Sequence, residues 1–110
     1  MRLPKAIAQY VKGQNARDVA AILACFSKNA FVHDEGQDYR GEDKIKGWIE
    51  GTLKKYEFTI DPLAISGSSA GVLTAKLSGS FPRSPVMLDF RYEIGDGRVS
   101  SLVIEPHGAA

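Results

Sequence analysis

Apolar residues change their period near the middle of the chain. In the first half they recur every three or four positions. Leu3, Ile7, Tyr10, Val11 and Gln14 fall at i, i+4, i+7, i+8 and i+11, which predicts an amphipathic first helix with Tyr10 on its inner stripe. Pro4 suits the first turn, where its missing N–H costs nothing. Gly13 is expected to fray the helix end. Asp18 is a suitable N-cap for a second helix carrying Val19, Ile22, Leu23 and Phe26. "SKNA" at 27–30 then reads as a turn. A third helix is predicted from about Glu42 to Lys54, with Ile45, Trp48, Ile49 and Leu53 as its stripe. Glu42 and Asp43 favour its positive end, and Lys54 and Lys55 its negative end. Gly47 and Gly51 leave a flat face that another backbone could approach.

The second half switches to period two. Tyr56, Phe58 and Ile60 alternate up to Pro62. Leu73, Ala75, Leu77, Gly79 and Phe81 alternate with polar neighbours, and Val86, Leu88, Phe90, Tyr92 and Ile94 alternate with Met87, Asp89, Arg91 and Glu93. "FPRSP" at 81–85 joins two strands, and "GDG" at 95–97 is a hairpin turn. In the last strand Ser100, Leu102 and Ile104 are expected inside, opposite Val99 and Val103. The short "AFVHD" segment is also strand-like. Helices first and strands afterwards read as α+β: three N-terminal helices packed in a strongly curved, mostly antiparallel sheet, a cone-shaped α+β barrel. The mouth of such a cone is a natural ligand site.

Composition narrows the partners. A chain of 110 residues is expected to form a single domain, 1–110. A net charge of +1 gives no electrostatic case for nucleic acid or an anionic membrane. One cysteine makes no internal disulfide, so a reducing, cytoplasmic location is the expectation. No apolar run approaches the roughly 18 residues that span a bilayer. The start of the chain lacks the apolar stretch of a signal peptide.

Residues 31–36, "FVHDEG", place a histidine, an aspartate and a glutamate in a row. Strand alternation separates them. Ala30, Val32 and Asp34 share one face, while Phe31, His33 and Glu35 share the other. A regular strand therefore cannot aim all three at one ion, and no HxxxH, HxH or CxxC spacing occurs, so no metal is expected. His33 and Glu35 fit surface ion pairs, with Arg40 or a partner subunit. Asp34 beside apolar walls would have a raised pKa and could exchange a proton near neutral pH. The competing role is a solvated strand end or turn cap. Tyr10 is either a packed core ring or a donor to a ligand. Cys25 lies in an apolar segment and reads as core. No phosphate loop, serine triad or dinucleotide fingerprint appears, so no cofactor is expected.

"QYVKGQNARDVAAILACFSKNAFVHDEG", then "YRGEDKIKGWI", then "FRYEIGDGRVSSLVI" resemble the nuclear transport factor 2-like superfamily over about residues 3–105. That superfamily includes ketosteroid isomerases and SnoaL-like polyketide cyclases. The resemblance implies a tyrosine on the first helix that donates to a substrate oxygen, matched by Tyr10. It implies an aspartate base at the end of the short strand, matched by Asp34, 24 residues on. The isomerases also keep a protonated aspartic acid on a later strand. Counting back from the hairpin glycines without a gap puts Asp89 there. Strand alternation puts Leu88 there instead, with Asp89 facing away beside Arg91 and Glu93.

The expected function is binding of a small apolar molecule. An enzyme of this kind would be a cofactor-independent isomerase or cyclase using Asp34 and Tyr10. Phe26, Val32, Trp48, Phe58, Leu88, Phe90 and Leu102 are the expected ligand contacts. The alternative is a non-catalytic ligand-binding or dimeric interaction domain. Met87, Val99 and Val103, on the expected outer face of the sheet, would seal a homodimer.

Overall fold

The computed structural model describes residues 1–108. Helix α1 (Lys5–Asn15) starts at Pro4 and buries Ala6, Ile7, Tyr10, Val11, Gly13 and Gln14. It does not fray at Gly13. The missing side chain there lets α2 (Val19–Ala24) pack closely, since a Cβ would lie 3.1 Å from Ile22 Cγ1. The Asp18 carboxylate caps α2 by accepting from the Ala21 N–H at 3.1 Å. Phe26 is not on that helix. It opens β1 (Phe26–Asp34), which also takes in the "SKNA" segment expected to turn. The turn reading failed because this part of the strand is irregular. Phe26 pairs with Val99 and Phe31 already with Ser101, so the polar residues between them bulge out of the ladder.

The hairpin from β1 to β2 (Gln37–Arg40) turns on Glu35 and Gly36, both at positive φ. Four mostly exposed residues gave β2 no apolar alternation to detect. Helix α3 (Glu42–Lys55) follows the expected stripe, burying Ile45, Trp48, Ile49 and Leu53. Arg17, itself at positive φ, donates to the carbonyls of Leu53 and Tyr56 and so closes the α3 C-terminus.

Four long strands complete the chain: β3 (Phe58–Gly67), β4 (Ala70–Gly79), β5 (Val86–Gly95) and β6 (Arg98–Pro106). The six-stranded sheet has the order β2-β1-β6-β5-β4-β3, antiparallel except between β1 and β6. It curls around the three helices without closing. Strand β3 continues through Pro62, which an edge strand tolerates.

One inward–outward assignment is reversed. Glu93 pairs with Ser101 but Ile94 pairs with Val99, so Ser100 is an extra residue. That bulge flips the alternation and buries Val99, 1% exposed, with Leu102 and Ile104. The outer face expected to form a dimer therefore loses Val99 and keeps Met87 and Val103. Asp89 does face outward: its carboxylate accepts from Thr74 Oγ1 at 2.7 Å and meets His107 Nδ1 at 2.8 Å.

Candidate functional site

The helices do not fill the curled sheet. A cavity of about 480 Å³ remains between α1, α3 and the inner face of β3–β6. Tyr10 and Gln14 reach it from α1, one turn apart, and Trp48 and Thr52 from α3 at the same spacing. Phe58, Leu88 and Phe90 supply apolar wall from the strands. Asp34 enters from the end of β1.

Other expected contacts sit behind the wall. Phe26, Val32 and Leu102 are buried core residues and do not line the cavity. Phe26 packs edge-on against both Tyr10 (5.9 Å between centroids) and Trp48 (6.2 Å), fixing the two rings that do line it. Leu88 lines the cavity where a second acid would stand if the register were shifted by one.

Asp34 is half-buried and hydrogen-bonded. Trp48 Nε1 donates to its Oδ2 at 3.0 Å, tying α3 to β1. Burial raises its pKa, the Trp48 bond partly opposes this, and the charge of Glu35 adds to the rise. The Tyr10 hydroxyl is pushed far above its ordinary range, by burial first and then by the negative charge of Asp34. It is therefore a neutral donor at any physiological pH. Cys25 is buried, its thiol pKa raised by desolvation, and it donates to the Ala21 carbonyl at 3.3 Å.

Glu35 does not simply point away from Asp34. Its left-handed backbone, φ 51°, swings it out of the strand alternation and onto the cavity rim. Its ion partner is Lys55, at 3.5 Å, rather than Arg40, whose guanidinium lies over the Phe31 ring. His33 pairs with Asp38 at 2.6 Å. Among the described residues no three His, Cys, Asp or Glu side chains cluster as metal ligands.

A second, more polar cavity of about 450 Å³ adjoins the first. Asp34, Glu35, Trp48, Thr52 and Tyr56 line both, so the carboxylate stands where they meet. Gly47 and Gly51 border this groove. No backbone packs on them: a Cβ at either would meet nothing within 4 Å. Gln14 was named in the sequence only as part of a helical stripe. Its polar side chain on an otherwise apolar face was the available signal.

A curled sheet holding three helices around an apolar cavity defines a class of small α+β cones. Within that class, the sequence model of the SnoaL-like domain matches residues 7–102, and the chain belongs to this family. Solved structures agree. A candidate polyketide cyclase from Sinorhizobium meliloti superposes with a TM-score of 0.88 at 32% identity, over 94% of this chain and 95% of that one. A protein of ketosteroid isomerase-like fold from Catenulispora acidiphila, in complex with trimethylamine, gives 0.84 at 14% identity, over 94% and 86%. TerC, co-crystallised with polyporic acid, gives 0.81 at 16% identity, over 93% and 88%. No curated protein matches the chain. Among the described residues no helix is long and apolar enough to cross a membrane.

Proposed function

We propose that this domain binds a compact, largely apolar carbonyl compound and moves a proton at the carbon beside the carbonyl. The observation that carries this reading is that Asp34 and Tyr10 line one mostly apolar cavity. Other carboxylates on its rim are engaged: Glu35 pairs with Lys55, and Glu105 with Arg91 at 3.0 Å. Among the described residues Asp34 forms no salt bridge, and burial raises its pKa towards the range useful for a general base, although the Trp48 bond and the charge of His33 oppose the rise. In the proposed step the carboxylate takes the α-proton and the C–H electron pair moves into a C=C bond. The carbonyl oxygen becomes an enolate oxygen, and the Tyr10 O–H stabilises its growing charge by hydrogen bonding. Return of the proton to another carbon gives isomerisation. Attack of the enolate on a second carbonyl gives cyclisation, and loss of a β-hydroxyl gives dehydration. None of these needs a cofactor. The complexes of structural relatives with polyporic acid and trimethylamine support small-molecule binding in this fold.

The test is exchange of the α-protons of 1-tetralone in deuterated buffer, followed by NMR. Asp34→Asn should slow the protein-dependent exchange about 10²-fold or more, as loss of a general base does. Equal rates in the two proteins would overturn the assignment of Asp34. The competing reading, a binding domain without catalysis, predicts 1-tetralone binding with no exchange above buffer.

A further inference from the structure

The second cavity has no part in the acid–base step. Among the described residues its charged lining is two carboxylates and one ammonium, from Asp34, Glu35 and Lys55. Glu35 and Lys55 pair at 3.5 Å, so their charges largely cancel. Ionised Asp34 is then the uncompensated charge. An anion entering this space meets a net negative wall, and a cation meets a favourable one.

The structure already shows an ammonium held here. Lys55 Nζ lies over the Tyr56 ring, 5.0 Å from its centroid, as well as against Glu35. The negative face of an aromatic ring attracts a cation in this position. The Lys55 side chain is 64% exposed on a flexible stem, so it can yield the place to an incoming cation. Tyr39 and Trp48 add two further rings to the lining, 6.2 Å apart and tilted by 36°. Gly47 and Gly51 leave the α3 side of this cavity open. Helix interiors disfavour glycine, and a Cβ at either position would meet nothing within 4 Å, so packing does not require its absence.

We infer that the second cavity receives an organic ammonium group, and that the ligand is an amino ketone whose carbonyl body lies in the apolar cavity. Asp34, Trp48 and Thr52 line both cavities, so one molecule can reach from one to the other past the carboxylate. The ammonium takes the place of the Lys55 head group, against Glu35 and the Tyr56 ring. A positive charge beside Asp34 favours its ionised form, which is the form that takes the α-proton. The ketone half of this inference rests on the carbonyl-compound reading above. The ammonium half stands on the second cavity alone.

The experiment is titration of the full chain with phenyltrimethylammonium, benzenesulfonate and 1-tetralone, followed by calorimetry and NMR. The first two probes are similar in size and opposite in charge, and neither carries a ketone. The cation should bind about tenfold more tightly than the sulfonate, as expected for a cation–π contact joined to a carboxylate. It should shift the backbone amide signals of Gln37 and Tyr39, which line the second cavity and not the first. Lys55→Met removes the resident ammonium and should tighten cation binding about threefold or more. Gly47→Met combined with Gly51→Met crowds the second cavity from α3, and methionine is the better helix former, so this protein should fold. It should bind the cation about tenfold more weakly. Its 1-tetralone binding should stay within about threefold of the native value, because neither glycine lines the first cavity. Glu35→Gln is the second variant and should weaken the cation about fivefold.

Sulfonate binding as tight as cation binding overturns the inference. So does cation binding that the double glycine variant leaves unchanged, or that Lys55→Met weakens. Absence of cation binding overturns it as well, and leaves the Asp34 reading to stand or fall on 1-tetralone exchange. Exchange unaffected by Asp34→Asn, with the cation bound as expected, does the reverse: it removes the proposed base and supports the ammonium site.

Discussion

Replacing Trp48 by phenylalanine would delete its hydrogen bond to Asp34 and shorten one buried ring. The indole Nε1 donates to Asp34 Oδ2 at 3.0 Å. The ring also packs edge-on against Phe26 and tilted against Tyr39, each with centroids 6.2 Å apart, and phenylalanine preserves much of that contact. The bond stabilises the ionised carboxylate, so it opposes the burial that raises the Asp34 pKa. Without it the carboxyl should hold its proton to higher pH. Hydrogen bonds to charged groups contribute about 1.5–3 kcal/mol, and about 1.4 kcal/mol is tenfold in a protonation equilibrium. Asp34 is only half-buried and water can replace part of the lost bond, so the low end is expected, a roughly tenfold shift towards the acid form. The assay is an NMR titration of the Asp34 side-chain carboxyl carbon, assigned with Asp34→Asn, which needs no substrate. The midpoint should move upward in Trp48→Phe. If 1-tetralone exchange is catalysed, the acid limb of its rate profile should move the same way, while the high-pH plateau stays within a few-fold. An unchanged midpoint would refute the claim that Trp48 tunes this carboxyl.

The same raised pKa carries a stability prediction. A carboxyl with a raised pKa binds its proton more tightly in the folded protein, so that contribution is present below the unfolded pKa and lost as pH rises through the folded one. Asp34→Asn should therefore gain stability relative to the native protein as pH rises across that window, read by urea melts at several pH values. A difference that stays constant with pH would contradict the burial argument. Asn15→Ala should cost about 1–3 kcal/mol in urea unfolding, since it deletes two partly buried bonds to Ile60 at typical net values. A loss below about 0.5 kcal/mol would mean the clamp does not hold α1 to β3.

Local pattern carried most of the element boundaries. The caps, the stripe on α3 and the alternation in β4 and β5 each depend on residues within a few positions of one another. The outward direction of Asp89 and the inward direction of Leu88 followed from that alternation alone. Two of the readings that failed lay where the ladder is irregular. Ser27–Ala30 looked like a turn because its polar residues bulge between Phe26 and Phe31, and Val99 looked external because Ser100 is inserted beside it. A bulge reverses alternation, and it is set by what the partner strand does, which local sequence does not record.

The sequence by itself determined the class of fold, the inward face of the short strand with Asp34 at its end, and the inner stripe of the first helix with Tyr10 on it. Helical and strand periodicity are local properties of the backbone, so a single chain read in order is enough to give them. Tertiary structure decided the rest. The Trp48–Asp34 bond joins residues on α3 and β1. The swing of Glu35 to the rim comes from a left-handed turn and ends at a lysine of α3. The cavity exists because a curled sheet encloses more volume than three short helices fill. Contacts between distant segments, and the gaps they leave, come from packing in three dimensions and have no period along the chain.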